Sequence, residues 1–305
     1  MRVREPSPRD SLTHAVATFL AFAALGACGG TPAPRPPAAP ADGSARAQPA
    51  QSRPAPSPGL TREGARGASR EAAGSAVDTL RPTRRLVALG PPGVPATAFP
   101  APDRPVAGIT TDTWSDESTR DKAREAQRVM SLLHVREGMR VADIGAGSGY
   151  YTLRLSRRVG PGGTVLAQDI MPEYLEKLAG RVKREGLDNV RLGLGDAHDP
   201  RLPPSSIDLA ILVHMYHEVA QPYGLLYNLL PALRSGARVG VVDLDRKTSR
   251  HGTPKLLLRC EFRAAGYRHV STHDLAKGSG YLAVFEPVQA SGERPLPHSI
   301  QACAA

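Results

Sequence analysis

The sequence predicts an α/β fold with a mostly parallel sheet that helices cover on both faces. Apolar strand patterns alternate with helical patterns from residue 116 to about residue 287. Alternation of this kind is typical of a parallel sheet built from strand–helix–strand units. The first strand runs into a glycine-rich turn, and four strand ends carry an acidic or polar residue. Ligands of such folds bind at the carboxyl edge of the sheet, so the sequence also predicts where a functional site lies.

The predicted elements begin with a helix over residues 116–133. Its small and apolar residues recur at helical spacing, namely Ala123, Ala126, Val129, Met130 and Leu133. Apolar runs predict seven strands, at 141–144, 163–170, 190–195, 207–213, 237–243, 269–272 and 280–285. Amphipathic runs predict the intervening helices, at 150–159, 172–185, 223–233 and 254–265. About 180 residues of this kind can bury one adequate core.

The glycine-rich turn after the first strand is the most informative stretch, and it reads Val141-Ala142-Asp143-Ile144-Gly145-Ala146-Gly147-Ser148-Gly149-Tyr150. Glycine lets a ligand lie against bare backbone, and the following helix N-terminus offers unpaired N–H groups. A dinucleotide fingerprint reads G-x-G-x-x-G. Here Tyr150 stands where its third glycine would fall. The spacing therefore disfavours a nicotinamide oxidoreductase.

Acidic residues at later strand ends add to this pattern. Asp169 ends the second strand 26 residues beyond Asp143, near the distance at which an acid grips a ribose diol. Asp169 could also cap the helix that follows, and the two roles are compatible. Asp196 follows the third strand, and the fourth leads into His214-Met215-Tyr216-His217-Glu218. Together these ends indicate a site far more specifically than one glycine motif does.

With these residues, Trp114 to Phe285 resembles a bacterial class I S-adenosylmethionine-dependent methyltransferase. The signature D-x-G-x-G-x-G within V-A-D-I-G-A-G-x-G-Y and the Y-H-E turn mark the subgroup. One departure is Arg234-Ser235-Gly236-Ala237, where the family usually has Pro-Gly-Gly. The resemblance implies a Rossmann-like, doubly wound, mostly parallel seven-stranded sheet and S-adenosylmethionine as cofactor. It implies cofactor contacts from Asp143, Gly145, Ala146, Gly147, Gly149, Asp169, Ile170, Asp196 and Ala197.

The candidate catalytic residues are His217 and Tyr216, because the turn after the fourth strand faces the transferred methyl group in this family. Methyl transfer from a sulfonium depends mainly on positioning. A base is needed only where the acceptor loses a proton, and His217 suits that role because histidine titrates near neutrality. Either side chain could instead shape the pocket wall. His198, His214 and His217 could bind zinc, but nothing completes a ligand set, so no metal is predicted.

The N-terminal region is predicted to lie outside the fold. Basic residues precede an apolar run over 15–27 that is too short to span a bilayer and suits a secretory signal. Leu25-Gly26-Ala27-Cys28 resembles a lipobox, which implies lipidation at Cys28 and membrane anchoring; a cytoplasmic protein with a chance cysteine is the alternative. Residues 29–104 hold 15 of the 29 prolines and predict a disordered linker. The predicted domains are therefore 1–28, 29–104, 105–288 and a disordered tail at 289–305.

The composition gives no indication of a nucleic-acid partner. The net charge is +10, but residues 105–305 carry only +4 of it, without the basic–aromatic pattern of a nucleic-acid surface. Three cysteines show neither metal spacing nor a disulfide framework. Asp243 and Asp245 could line a substrate mouth.

The sequence leaves two hypotheses for function. The first is a methyltransferase that acts on an unidentified acceptor, which could be a small molecule, a lipid or quinone, or a protein. The second is a catalytically silent lipoprotein that keeps the fold as a binding scaffold.

Overall fold

A computed structural model describes residues 86–109, 111, 115–288 and 294–304. The predicted signal segment, lipidation at Cys28 and the linker up to residue 85 lie outside these residues. So does Trp114, with which the family resemblance begins.

One seven-stranded sheet organises the described residues and confirms the predicted fold class. Its strand order is β3-β2-β1-β4-β5-β7-β6. The first five strands pair in parallel, and β7 pairs antiparallel to both β5 and β6. The strands are β1 (Arg140–Ile144), β2 (Thr164–Asp169), β3 (Val190–Leu194), β4 (Ile207–Val213), β5 (Leu233–Asp243), β6 (Tyr267–Asp274) and β7 (Tyr281–Pro287). The reversal of strand order at β1 and β4 is the topological switch point where ligands bind.

The helices match the predicted pattern with two differences. They are α1 (Glu117–Lys122), α2 (Glu125–Leu132), α3 (Tyr150–Val159), α4 (Pro172–Arg184), α5 (Pro222–Leu229) and α6 (Lys255–Ala264). The predicted leading helix is two helices, because Arg124 adopts a left-handed conformation at φ 53°. The helix predicted over 223–233 ends at Leu229, and a 3₁₀ turn at Leu230–Ala232 leads into a β5 longer than predicted.

The core lies on both faces of the sheet. On one face α2, α3 and α4 pack against the strands, through side chains such as Val129, Leu155 and Leu178. On the other, α5 and α6 contribute Leu226 and Phe262. The central strands are buried on both faces, which explains their near-continuous apolar sequences.

The N-terminal segment, which we define as residues 86–109, corrects the predicted linker boundary. Phe99 is buried, and the Arg104 guanidinium forms a fully buried ion pair with Glu261 of α6 at 2.8 Å. Asn228 of α5 accepts a hydrogen bond from Val94 N and donates one to its carbonyl. The prediction of disorder is therefore wrong for residues 86–104. The composition of residues 29–104 is an average over the whole predicted linker, so it does not show the few side chains that hold residues 86–104 in place.

The C-terminal segment, residues 294–304, corrects two further predictions. Cys303 forms a disulfide with Cys260 of α6, which the prediction of no disulfide framework had missed. The Tyr223 hydroxyl accepts a hydrogen bond from Cys303 N at 2.7 Å, and Ile300 is buried against Phe99 and Tyr223. Residues 294–304 are therefore part of the fold and not of a disordered tail. Within the described residues, none of the helices has the length and apolarity needed to cross a bilayer.

Candidate functional site

A cavity of about 290 Å³ opens at the carboxyl ends of β1, β2, β3 and β4. Parallel pairing places these strand ends side by side, so residues distant in sequence meet there. Eight of the nine predicted cofactor residues line it, namely Asp143, Gly145, Ala146, Gly147, Asp169, Ile170, Asp196 and Ala197. Gly149 does not line the cavity. It precedes α3 at φ 88°, and a Cβ there would stand 2.3 Å from Leu178 Cδ1, so this glycine serves the turn.

Asp143 lies near the end of β1 and is only 3% exposed. The Thr152 hydroxyl donates to its Oδ2 at 2.6 Å. Burial and the nearby Asp169 carboxylate raise the pKa of Asp143 to about 6, although the Thr152 hydrogen bond opposes the shift. A buried acid in a cavity, with a pKa raised toward neutral pH, indicates a functional role.

Asp169 ends β2 and ties the glycine turn to the strand. Gly147 N donates to its Oδ2 at 2.8 Å, and Met171 N donates to its Oδ1 at 3.0 Å. Gly147 itself has φ 52°, so the turn depends on glycine conformations there and at Gly145, where φ is 69°. The carboxylate thus lies at the point where the turn meets the cavity.

Asp196 follows β3 at the outer rim of the cavity. Its backbone forms an isolated bridge with Asp199, and its exposed carboxylate lies 3.6 Å from Arg201 Nη1. Asp196 thus faces solvent more than Asp143 and Asp169 do. An exposed acid at the rim suits a polar group at the end of a ligand.

A buried charge network that the sequence did not predict lies beneath the glycine turn. Arg120 lines the cavity and donates to Glu125 Oε1 at 2.6 Å. Tyr151 also donates to this carboxylate, at 3.2 Å, and His214 Nε2 lies 3.7 Å from its other oxygen. Burial lowers the pKa of His214, against the effect of Glu125. Acids and bases were visible in the leading helix, but periodicity does not show which of them face a cavity.

The structure separates the two predicted catalytic residues from the cavity wall. Tyr216 is fully buried in the core, and its ring packs 5.7 Å from that of Phe262. His217 is also fully buried, and its Nδ1 lies 3.0 Å from Asp243 Oδ1. The sequence suggested that Asp243 could line a substrate mouth. It is fully buried instead, and it accepts a hydrogen bond from the Thr253 hydroxyl at 2.7 Å.

Because a carboxylate only accepts, Asp243 places the His217 ring proton on Nδ1. The lone pair of His217 is then on Nε2, which lies 4.0 Å from Glu218 Oε1. An imidazole oriented in this way can accept a proton or bind a metal ion through Nε2. The catalytic hypothesis for His217 remains a prediction.

Glu218 and His251 line the cavity beside His217, and neither was predicted. Burial raises the pKa of Glu218 to about 7, with Asp169 and Asp243 contributing and His217 opposing. Glu218 follows the candidate catalytic residue His217 directly in the sequence, so its place at the site could have been predicted. His251 gave no signal, because its loop reaches the site only through the fold. Among the described residues, His217, Glu218 and His251 form a cluster whose ligand atoms lie close enough together to hold a metal ion, and the cluster does not include His198 or His214.

Part of this chain is similar to known methyltransferases. Residues 141–236, from β1 into β5, match the family model described as a methyltransferase domain. The chain is 37% identical over 84 residues to nocamycin O-methyltransferase of Saccharothrix syringae, which is 28% of this chain and 30% of that protein. It is 31% identical over 121 residues to the ubiquinone/menaquinone biosynthesis C-methyltransferase UbiE of Azotobacter vinelandii, 39% and 48% of the two chains. It thus matches half or less of these relatives' length.

The chain is also similar to one solved structure, a SAM-dependent methyltransferase from Aquifex aeolicus. It has a TM-score of 0.49 and 23% identity, and the match covers 56% of this chain and 97% of that one. At this TM-score the similarity adds nothing to the fold that the strand order already defines.

Proposed function

We propose that this protein is an S-adenosylmethionine-dependent methyltransferase. One observation carries the proposal: the glycine turn, Asp143, Asp169 and Asp196 all line a single cavity at the ends of three adjacent strands. A tight turn alone would not need acids from three strands around one cavity. The match of residues 141–236 to a methyltransferase-domain model agrees with this proposal.

The lining residues fit the chemistry of the cofactor. Asp169 would hold the ribose diol, since a carboxylate accepts from two hydroxyl groups. Asp196 and Ala197 at the rim, with Ile170, would hold the adenine ring. Asp143 and the bare backbone of the glycine turn would hold the aminoacyl part. Arg120 would complement its carboxylate.

The cofactor, when bound, supplies an activated methyl group on a sulfonium. The residues of this chain bind it, orient the acceptor in line and exclude water, and this positioning can lower a barrier substantially. Val213 at the end of β4, with Met215 and Val219 after it, lines the cavity and would provide apolar contact. His217 lies behind Glu218, so a direct proton transfer to it would pass that carboxylate.

The acceptor that this geometry favours is a small molecule. The cavity is small and has an apolar wall after β4, and the curated relatives are named for natural-product and quinone methylation. Ile109 and Thr111, the last described residues before 115, lie at its wall, so a segment next to the predicted linker reaches the site.

The proposed location is the cell envelope, with a lipid anchor at Cys28. The Cys260–Cys303 disulfide adds to the lipobox argument, because structural disulfides persist in oxidising compartments. This location conflicts with the cytoplasmic supply of the cofactor. The scaffold alternative follows from that conflict, but a scaffold would not need the acids and glycines that line the cavity.

Titration calorimetry on the full chain tests the proposal. We expect S-adenosylmethionine and S-adenosylhomocysteine to bind, and Asp169→Ala to weaken binding by about 1–3 kcal/mol, the usual loss when polar partners are stranded. Asp188→Ala is the matched control, since Asp188 is exposed in the turn before β3. Absence of binding to a folded protein would refute the cofactor assignment.

A methyl-transfer screen separates the enzyme from the scaffold. Labelled cofactor would be incubated with the full chain and lysate fractions, including lipid extracts. Transfer of label to an acceptor, reduced in Asp169→Ala, supports the enzyme. Binding without transfer in any fraction favours the silent scaffold.

A further inference from the structure

We propose that His217, Glu218 and His251 bind a divalent transition-metal ion beside the cofactor cavity, and that this ion holds an oxygen atom of the methyl acceptor. The inference deepens the proposed function and rests on it for the identity of the acceptor. The metal site itself stands on the geometry of these three side chains. One ligand atom from each lies within 4.8 Å of the others.

The ligand set is chemically specific. Two imidazoles and one carboxylate are a recurring set for zinc with an open coordination position, and they also suit other first-row divalent metals. His217 and His251 approach edge-to-face, with ring centroids 5.5 Å apart. Zinc bonds of about 2.0–2.2 Å at tetrahedral angles place ligand atoms about 3.4 Å apart. Glu218 and His251 must therefore turn inward by about an ångström, and both are only partly buried.

Asp243 provides the outer partner that metal-binding histidines characteristically have. Its two oxygens lie 3.0 and 3.1 Å from His217 Nδ1, which fixes the ring and directs Nε2 toward Glu218. The same carboxylate accepts from Leu244 N and from the Thr253 hydroxyl. These bonds hold both ends of the loop that carries His251. One buried acid thus positions two of the three ligands.

Backbone contacts fix the remaining geometry. Glu218 N bonds to Met215 O at 2.9 Å in the 3₁₀ turn, and Ala107 N bonds to His217 O at 3.1 Å. His251 adopts a left-handed conformation at φ 55°, and the Arg246 guanidinium donates to its carbonyl at 3.1 and 3.2 Å.

The position of the cluster indicates what the metal would bind. Glu218 and His251 line the cavity, whereas His217 lies behind them. Coordination positions that the protein leaves open would therefore face the cavity. An ion of this type binds and polarises oxygen ligands. The implied acceptor class is a small molecule with a hydroxyl, phenol or carboxylate oxygen near the methylated atom.

The test is metal binding by the full chain, measured without any acceptor. The protein would be stripped with a chelator, dialysed and titrated with Zn²⁺ alone by calorimetry, with Mn²⁺ and Co²⁺ as further probes. We expect one high-affinity site. Because loss of an outer partner alone costs 10–100-fold in affinity, we expect Glu218→Gln and His251→Asn each to weaken binding by at least about tenfold.

A matched control exists in His134→Asn. His134 is exposed and, like His251, is left-handed at φ 55°, so asparagine is equally well tolerated at both positions. Asp243→Asn keeps an acceptor for Nδ1 but lowers the basicity of His217, so a loss of about 10–100-fold is expected. Thermal unfolding of each variant verifies that it is folded.

Two results would overturn the metal site. One is the lack of saturable binding of any of these ions to the folded protein. The other is binding that Glu218→Gln and His251→Asn weaken no more than His134→Asn does. Cofactor titration of the same samples distinguishes failure of the metal site from failure of the proposed function. A protein that binds S-adenosylmethionine but no metal ion refutes only the metal site.

Discussion

The raised pKa of Asp143 gives a prediction that links stability to function. This carboxyl has a pKa of about 6 in the fold and an ordinary value of 3.8. One pH unit corresponds to about 1.4 kcal/mol, so ionising the buried group costs about 3 kcal/mol of folding free energy. Below about pH 4 both folded and unfolded chains carry the proton. Between pH 4 and 6 only the folded chain keeps it, so the free energy of unfolding falls as pH rises and then levels off.

Asp143→Asn should remove this cost. The amide oxygen can still accept from Thr152, and nothing at this position ionises. We expect the variant to be more stable than the wild type by about 1–3 kcal/mol at pH 8 and equal to it near pH 4. It should also bind S-adenosylmethionine more weakly, because the acid would serve the ligand and not the fold.

Urea denaturation of the full chain at pH 4 to 8 measures the effect. Asp188→Asn is the control for removal of one negative charge, since Asp188 is exposed. The reasoning fails if the difference between Asp143→Asn and the wild type is the same at pH 4 and pH 8. It also fails if the variant is the less stable protein at pH 8.

Further predictions concern the turn, the two segments and the leader. Gly147→Val should abolish cofactor binding, because a β-branched residue resists φ 52° and occupies the ligand's place; tight binding by the folded variant would place the cofactor elsewhere. Cys303→Ser should lower the free energy of unfolding by about 2–4 kcal/mol, and a reductant should shift the urea midpoint of the wild type but not of the variant. Arg104→Met should cost about 3–5 kcal/mol by stranding the buried Glu261, measured by urea denaturation, and a loss below about 1 kcal/mol would argue against that ion pair. Cys28→Ser should move the protein from membrane to soluble fractions, and a wild type that is already soluble would contradict lipidation.

Much of the candidate site was predictable because its signals are local in sequence. The Gly145–Gly149 turn, Asp143 and Asp169 each lie at a strand end, and the alternation of strands and helices brings such ends to one edge. Eight of nine predicted cofactor residues line the cavity for that reason. Gly149 differs because it precedes α3, where a Cβ would point at Leu178 and not into the cavity.

The catalytic assignment was harder because a motif does not show which way a side chain points. Tyr216 and His217 occur in the expected turn, yet a 3₁₀ conformation directs both into the interior and leaves Glu218 at the cavity wall. His251, which follows β5 in the chain, joins them only through the loop that Asp243 holds. The direction of these side chains depends on the geometry of the turns, which the spacing of residues in the sequence does not determine.

The sequence by itself determined the sheet, the helices and the carboxyl edge that carries the cavity, because hydrophobic periodicity and glycine positions act over a few neighbouring residues. Tertiary structure alone decided which residues, distant in sequence, pair to hold the terminal segments on the domain. Arg104 meets Glu261 across 157 residues, and Cys303 meets Cys260 across 43. Each pair joins α6 to a segment whose composition predicts disorder. The order of these segments comes from burial against α6, a contact that exists only once the sheet and its helices have formed.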